Sequence, residues 1–175
     1  MVALPWVLAA QQHAGAAVKA VADGRAVTFE YLAPDAARTL AALAAEIIPS
    51  DDGPGATEAG AVYFIDRALA TFDQEKREPY QQGLCQIDAL RSKLFAASPS
   101  VEALSREQRR ELIRALESSE FFDLLRTHVV LGFLANPEYG GNREQAGWTY
   151  IGFDDQMSFE PPFGYYDAHK DEVQN

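Results

Sequence analysis

Apolar positions recur at helical spacing through the middle of the chain, and that recurrence ends at residue 136. Leu40, Leu43, Ala44 and Ile47 fall three or four residues apart between Pro34 and Pro49, which places them on one face of an α-helix. Proline suits a first turn and Asp35 its positive end, so a first helix is predicted there. Val62, Ile65, Leu69 and Phe72 form the stripe of a second helix. A third is predicted from about Lys76 to Ala97 on Tyr80, Leu84, Ile87, Leu90 and Leu94, with Pro79 in its first turn. Ser105-Arg106-Glu107-Gln108 fits a capping box and opens a fourth, with Leu112, Ile113 and Leu116. The fifth, Ser119 to Ala135, is apolar nearly all round and is expected to be the central buried helix. The fold class that follows is all-α: a small bundle of about five helices over residues 34–135. An extended N-terminal arm covers 1–33, and an irregular arm rich in glycine and aromatics covers 136–175, packed on the same domain.

The change at residue 136 has local causes. Pro137 removes a backbone donor and disfavours helix in the residue before it, Gly140 and Gly141 permit positive φ, and Asn142 can close a turn through its side chain. No helical period is visible from there to Asn175. These last 40 residues hold eight of the chain's nineteen aromatics, namely Tyr139, Trp148, Tyr150, Phe153, Phe159, Phe163, Tyr165 and Tyr166, with five glycines and three prolines. A disordered tail is poor in aromatics, so this composition predicts order without regular structure. The rings must be buried on the bundle or under a partner. Tyr and Trp suit the second role, because each joins a large apolar area to one polar handle.

Charge narrows the partners. The net charge is −11, and the last 40 residues carry eight carboxylates against Arg143 and Lys170, a net of −6. Nucleic acid is excluded, since its phosphates demand clustered cations; the acidity is read as a solvated surface. No run reaches the roughly 18 to 20 apolar residues of a membrane helix. At the start, Leu4-Pro5-Trp6-Val7-Leu8-Ala9-Ala10 and then Ala14-Gly15-Ala16 read as the end of an export signal's apolar region and its cleavage zone, without the positive region that precedes one. The other reading is an alanine-rich arm that packs on the domain or a partner. Cys85 is the only cysteine, which forbids an internal disulfide; its place among Leu84, Ile87, Leu90 and Leu94 predicts a buried, packing thiol.

The residues of catalysis are sparse. His13, His128 and His169 sit in no recognised setting, no Gly-x-Ser-x-Gly elbow occurs, and a Cys85 nucleophile would have to borrow His128 from another helix. His128 is read instead as a hydrogen-bonded histidine on the buried helix. No histidine pair has ligand spacing, and Asp51-Asp52 and Asp154-Asp155 lack the alternating oxygens and bidentate Glu of a calcium loop. Gly140-Gly141 has no strand before it and no lysine after it, so it is not a phosphate loop. No catalytic residue, metal ligand or cofactor-binding residue is therefore assigned in this chain.

Several motifs in unbroken order carry a family resemblance. They are Ile47-Ile48-Pro49-Ser50-Asp51-Asp52-Gly53-Pro54-Gly55-Ala56 with Glu58-Ala59-Gly60, Val62-Tyr63-Phe64-Ile65-Asp66-Arg67-Ala68-Leu69, Asn-Pro-Glu-Tyr-Gly-Gly-Asn-Arg at 136–143, Gly-Trp-Thr-Tyr-Ile-Gly-Phe at 147–153, and Pro-Pro-Phe-Gly-Tyr-Tyr-Asp at 161–167. Over roughly residues 30–167 the chain resembles the small third subunit of gluconate 2-dehydrogenase-type complexes. The resemblance implies a non-catalytic subunit that binds a flavoprotein of the glucose-methanol-choline type, which holds FAD and oxidises a sugar, polyol or sugar acid. It also implies a role in maturation and twin-arginine export of the folded pair to the periplasm, and haem c in a third, cytochrome subunit where one is present. Partner contacts are expected at Asn136, Pro137, Tyr139, Gly140, Gly141 and Asn142, at Trp148, Tyr150 and Phe153, and at Pro161, Pro162, Phe163 and Tyr165. The alternatives are a stand-alone enzyme with an unrecognised site and a general export chaperone that releases its client.

Overall fold

The computed structural model describes residues 28–156, 158 and 160–163. Most of the N-terminal arm lies outside them, as do Phe159, Tyr165 and Tyr166. Among the described residues there are six α-helices and no strand: α1 Pro34–Ile47, α2 Ala61–Ala70, α3 Arg77–Leu94, α4 Arg106–Leu116, α5 Glu120–Leu134 and α6 Ala146–Ile151. The first five are those predicted from periodicity, with α3 shorter by a turn. Both halves of the capping box at Ser105 and Gln108 are formed, and the Ser119 side chain caps α5 by accepting from Phe122 N. The sixth was not visible as a period, because six residues make fewer than two turns.

Burial corrects the choice of central helix. Seven of the ten residues of α2 are buried, against six of the fifteen of α5, so α2 is the element enclosed by the others. It packs most extensively on α5. A Cβ at Gly132 would crowd the backbone of Ala61, so small residues set the approach of the two helices. On α5 the buried positions are Phe121, Leu125, His128, Val129, Gly132 and Phe133. The opposite stripe runs Asp123, Arg126 and Thr127, then Val130 and Leu131, all exposed to solvent. Cys85 is likewise exposed. On α3 the face toward the core is Tyr80, Gly83 and Ile87, and position 85 lies about 200° around the helix from Gly83, which turns the thiol outward.

Two of the sequence motifs turn out to be fasteners. In the loop before α2, Glu58 accepts hydrogen bonds from Gly55 N and Ser50 Oγ, and Ala56 N donates to Ile48 O, which closes residues 48–58 on themselves. In α2 the buried Asp66 carboxylate accepts three backbone N–H groups, from Glu30 at 2.8 Å, Tyr31 at 2.9 Å and Leu32 at 2.8 Å. Charge-assisted bonds of this kind compensate a carboxylate for its lost water. Arg67, also buried, pairs with Glu30 at 2.8 Å and with Asp66 at 3.3 Å. Together they pin the segment that leads into α1. Between α1 and α4, the buried Glu46 side chain meets Arg109 Nε at 2.9 Å, with Arg110 and Arg106 beyond at 3.5 and 3.7 Å.

Candidate partner-binding face

The segment after α5 is held by the carbonyl groups that α5 leaves open. The last turn of a helix has no intrahelical donors for its C=O groups. Here Ala135 N serves Leu131 O, Asn142 N serves Gly132 O at 2.6 Å, Trp148 Nε1 serves Leu134 O at 2.7 Å, and Asn142 Nδ2 serves Ala135 O at 3.0 Å. Asn142 Oδ1 in turn accepts from Gly147 N at 2.9 Å. One buried asparagine and one indole therefore cap α5 and seat α6 against it.

The glycines make the close approach possible, in two different ways. Sequence predicts positive φ at both Gly140 and Gly141; only Gly140 has it, at 94°, and the left-handed side chain next to it is Asn142, at 44°. Gly141 is needed for room. A Cβ on it would overlap the Gly132 carbonyl oxygen, and one on Gly147 would overlap the Phe133 carbonyl oxygen. Upstream, Asn136 Oδ1 accepts from Glu138 N at 3.0 Å and Pro137 opens a single 3₁₀ turn, Pro137–Tyr139. The Tyr139 ring is half-buried and meets Phe72 edge to face.

The residues expected to contact a partner thus divide. Asn142 and Trp148 are buried by this chain, Trp148 only 8% exposed, and Asn136, Pro137, Gly140 and Gly141 shape the turn that seats them. Tyr150 at 55%, Phe153 at 46% and Phe163 at 69% present large apolar area to solvent, and Pro161 and Pro162 are exposed beside Phe163. Tyr165 lies outside the described residues. Three further residues that sequence did not assign join the exposed set: Ile151 at 56%, Val130 at 40% and Leu131 at 44%. The signal for Val130 and Leu131 was present, since they continue the polar stripe of Asp123, Arg126 and Thr127 along one helix face. Helices α5 and α6 pack on each other, so these apolar groups lie on adjoining elements. Single exposed apolar residues need no explanation; it is a contiguous apolar patch that marks an interaction surface.

Buried polar chemistry elsewhere is structural in form. His128 stands between Tyr80 Oη, 3.0 Å from Nδ1, and the Asp73 carboxylate, 3.1 Å from Nε2. A carboxylate only accepts, so Nε2 carries the proton and Tyr80 donates to Nδ1. Burial pushes His128 below its ordinary range, against the opposing pull of Asp73, and burial raises the Tyr80 phenol. Both ring nitrogens are occupied while Cys85 faces solvent on another helix, so the two do not form a nucleophile–base pair. Among the described residues no group of three His, Cys, Asp or Glu side chains could hold a metal ion. Asp51 instead receives Arg106 Nη2 at 2.7 Å. Arg143 lies flat on Tyr63, 3.5 Å from its ring centroid, and burial pushes its guanidinium below the usual arginine range.

The family model for gluconate 2-dehydrogenase subunit 3 matches residues 34–155. That span runs from the first residue of α1 to just beyond α6. The chain belongs to the gluconate 2-dehydrogenase subunit 3 family. No curated protein and no solved structure matches it. Membership makes it of the kind that serves as a subunit of a dehydrogenase complex, and among the described residues no helix is long and apolar enough to cross a membrane. Within subunit 3 as seen here, the Asn-Pro-Glu-Tyr-Gly-Gly-Asn-Arg and Gly-Trp motifs are first of all the cap of α5.

Proposed function

We propose that this subunit is a non-catalytic partner of an FAD-dependent dehydrogenase of the glucose-methanol-choline type, which it binds, stabilises and accompanies through export to the periplasm. FAD and the oxidation of a sugar, polyol or sugar acid belong to the flavoprotein, and haem c to a cytochrome where a third subunit is present. The contact surface is the apolar face on adjoining elements: Val130 and Leu131 on α5, Tyr150 and Ile151 on α6, and Phe153 beyond it, with Pro161, Pro162 and Phe163 in the chain that follows.

The observation that carries the reading is the pairing of a firmly capped α6 with uncovered rings. The bundle spends Trp148 and Asn142 on holding this region in place, yet leaves the neighbouring Tyr150, Ile151 and Phe153 about half exposed. A rigid platform with aromatic and aliphatic groups at its surface is what a stable hetero-oligomer contact uses. The isolated subunit is expected to be colourless and to lack dye-linked dehydrogenase activity; flavin colour and activity appear only when the flavoprotein is present. A stoichiometric flavin spectrum in the isolated 19.2 kDa chain would overturn the assignment.

A further inference from the structure

A second surface runs along α1 and the loop that follows it. A hollow of about 290 Å³ is floored by alanines of α1 and the following loop, of which Ala37, Ala44 and Ala56 are buried. Its wall carries the Tyr63 ring, with the stacked Phe29 ring 5.1 Å away centroid to centroid and the Arg143 guanidinium 3.5 Å from the Tyr63 centroid. The hollow continues into another of about 320 Å³ that shares Arg38, Ala41 and Thr57 with it. The result is a trough along the alanine face of α1, with Arg143 beside it.

Arg143 is anomalous in a chain of net charge −11. It is half-buried, its Nη2 has no hydrogen-bond partner, and no carboxylate among the described residues pairs with it. Burial and the like-charged Arg67 act against its charge, and Tyr63, on which it lies, acts in favour of it. A desolvated cation without a counter-ion is costly, and a carboxylate brought to it recovers that cost. The trough's alanine floor offers no polar group to orient a small molecule and lets a polypeptide backbone approach closely.

We propose that this trough receives an extended segment of the flavoprotein, with an acidic side chain paired to Arg143 and small apolar side chains laid along α1 at Ala41. The proposal rests on the reading that the chain binds a flavoprotein, and it adds a charge-selective contact along α1 to the aromatic and aliphatic groups of α5 and α6. Charge pairing of this kind selects the partner as much as it tightens the complex.

The test uses the intact complex. A benzoylphenylalanine photocrosslinker at position 57, which is exposed at the rim of both hollows, should attach to a flavoprotein peptide containing Asp or Glu. Ala41→Trp, which fills the trough, and Arg143→Met, which removes the charge, should each weaken capture of the flavoprotein at least about tenfold. Ala41→Trp leaves the Tyr63 stack intact, so it stays informative if Arg143→Met unfolds. Crosslinking within this chain or between two copies of it overturns the proposal, as does full-strength capture by Ala41→Trp. If the wild-type subunit captures no flavoprotein, the underlying functional reading falls with it; if wild type and Ala41→Trp bind equally, only the trough contact falls.

Discussion

Leu125 and Leu131 are the same residue type on one helix with opposite fates. Leu125 is 1% exposed and touches the core, while Leu131 is 44% exposed on the outer stripe. Leu125→Ala should cost about 2–5 kcal/mol by opening a cavity, and Leu131→Ala less than about 0.5 kcal/mol; paired thermal or denaturant melts check both. Equal losses would mean that α5 is enclosed after all. His128 gives a prediction in pH. Burial holds it neutral in the fold, so the unfolded chain takes up a proton first as pH falls below the ordinary value of 6.5. The associated stability is complete above 6.5 and is lost as pH drops through the lower folded value. The wild-type melt should therefore decline below pH 6.5 more steeply than that of His128→Gln, and parallel declines would contradict it. His128 was legible in the sequence because a lone histidine amid apolar neighbours needs partners. Cys85 was not, because leucines on either side of a helix face do not say which way the intervening residue turns.

At the level of elements, α5 depends on the chain that follows it. Its open carbonyl groups are served by Asn142 and Trp148, so the cap is built from residues up to 14 positions away from the group they satisfy. Trp148→Phe keeps the ring and leaves Leu134 O without its donor, and should cost about 1–2 kcal/mol. Gly141→Val places a side chain against the Gly132 carbonyl and should cost about 3 kcal/mol or more. Limited proteolysis beyond Ala135 should accelerate for Gly141→Val while α1 to α5 stay helical; unchanged cleavage would show that the cap is not what holds α6. Five helices were legible because each spans at least ten residues with an apolar stripe or a capping signal. The sixth was hidden by its length. The outward position of Val130 and Leu131 is written in the polar stripe they continue, which a reading of α5 as apolar all round overrides, whereas the role of Asp66 is hidden because its backbone donors lie 34 to 36 residues away.

For the whole molecule, family membership and the uncovered apolar face point the same way, to a subunit completed by another chain. The sequence motifs group residues that the fold separates: Gly141, Asn142, Gly147 and Trp148 hold α6 on α5, whereas Tyr150, Ile151 and Phe153 are about half exposed. Aromatic content alone could not separate them, since a ring at an interface and a ring in a core have the same composition. The decisive measurement is quantitative capture of the flavoprotein by the subunit carrying Leu131→Ser, Tyr150→Ser and Phe153→Ser together, beside its own melt and circular dichroism. This variant should keep the helical spectrum and a melt within about 1 kcal/mol of the parent, with capture weakened by about 2 kcal/mol or more. Capture at the wild-type level by a folded triple variant would contradict it.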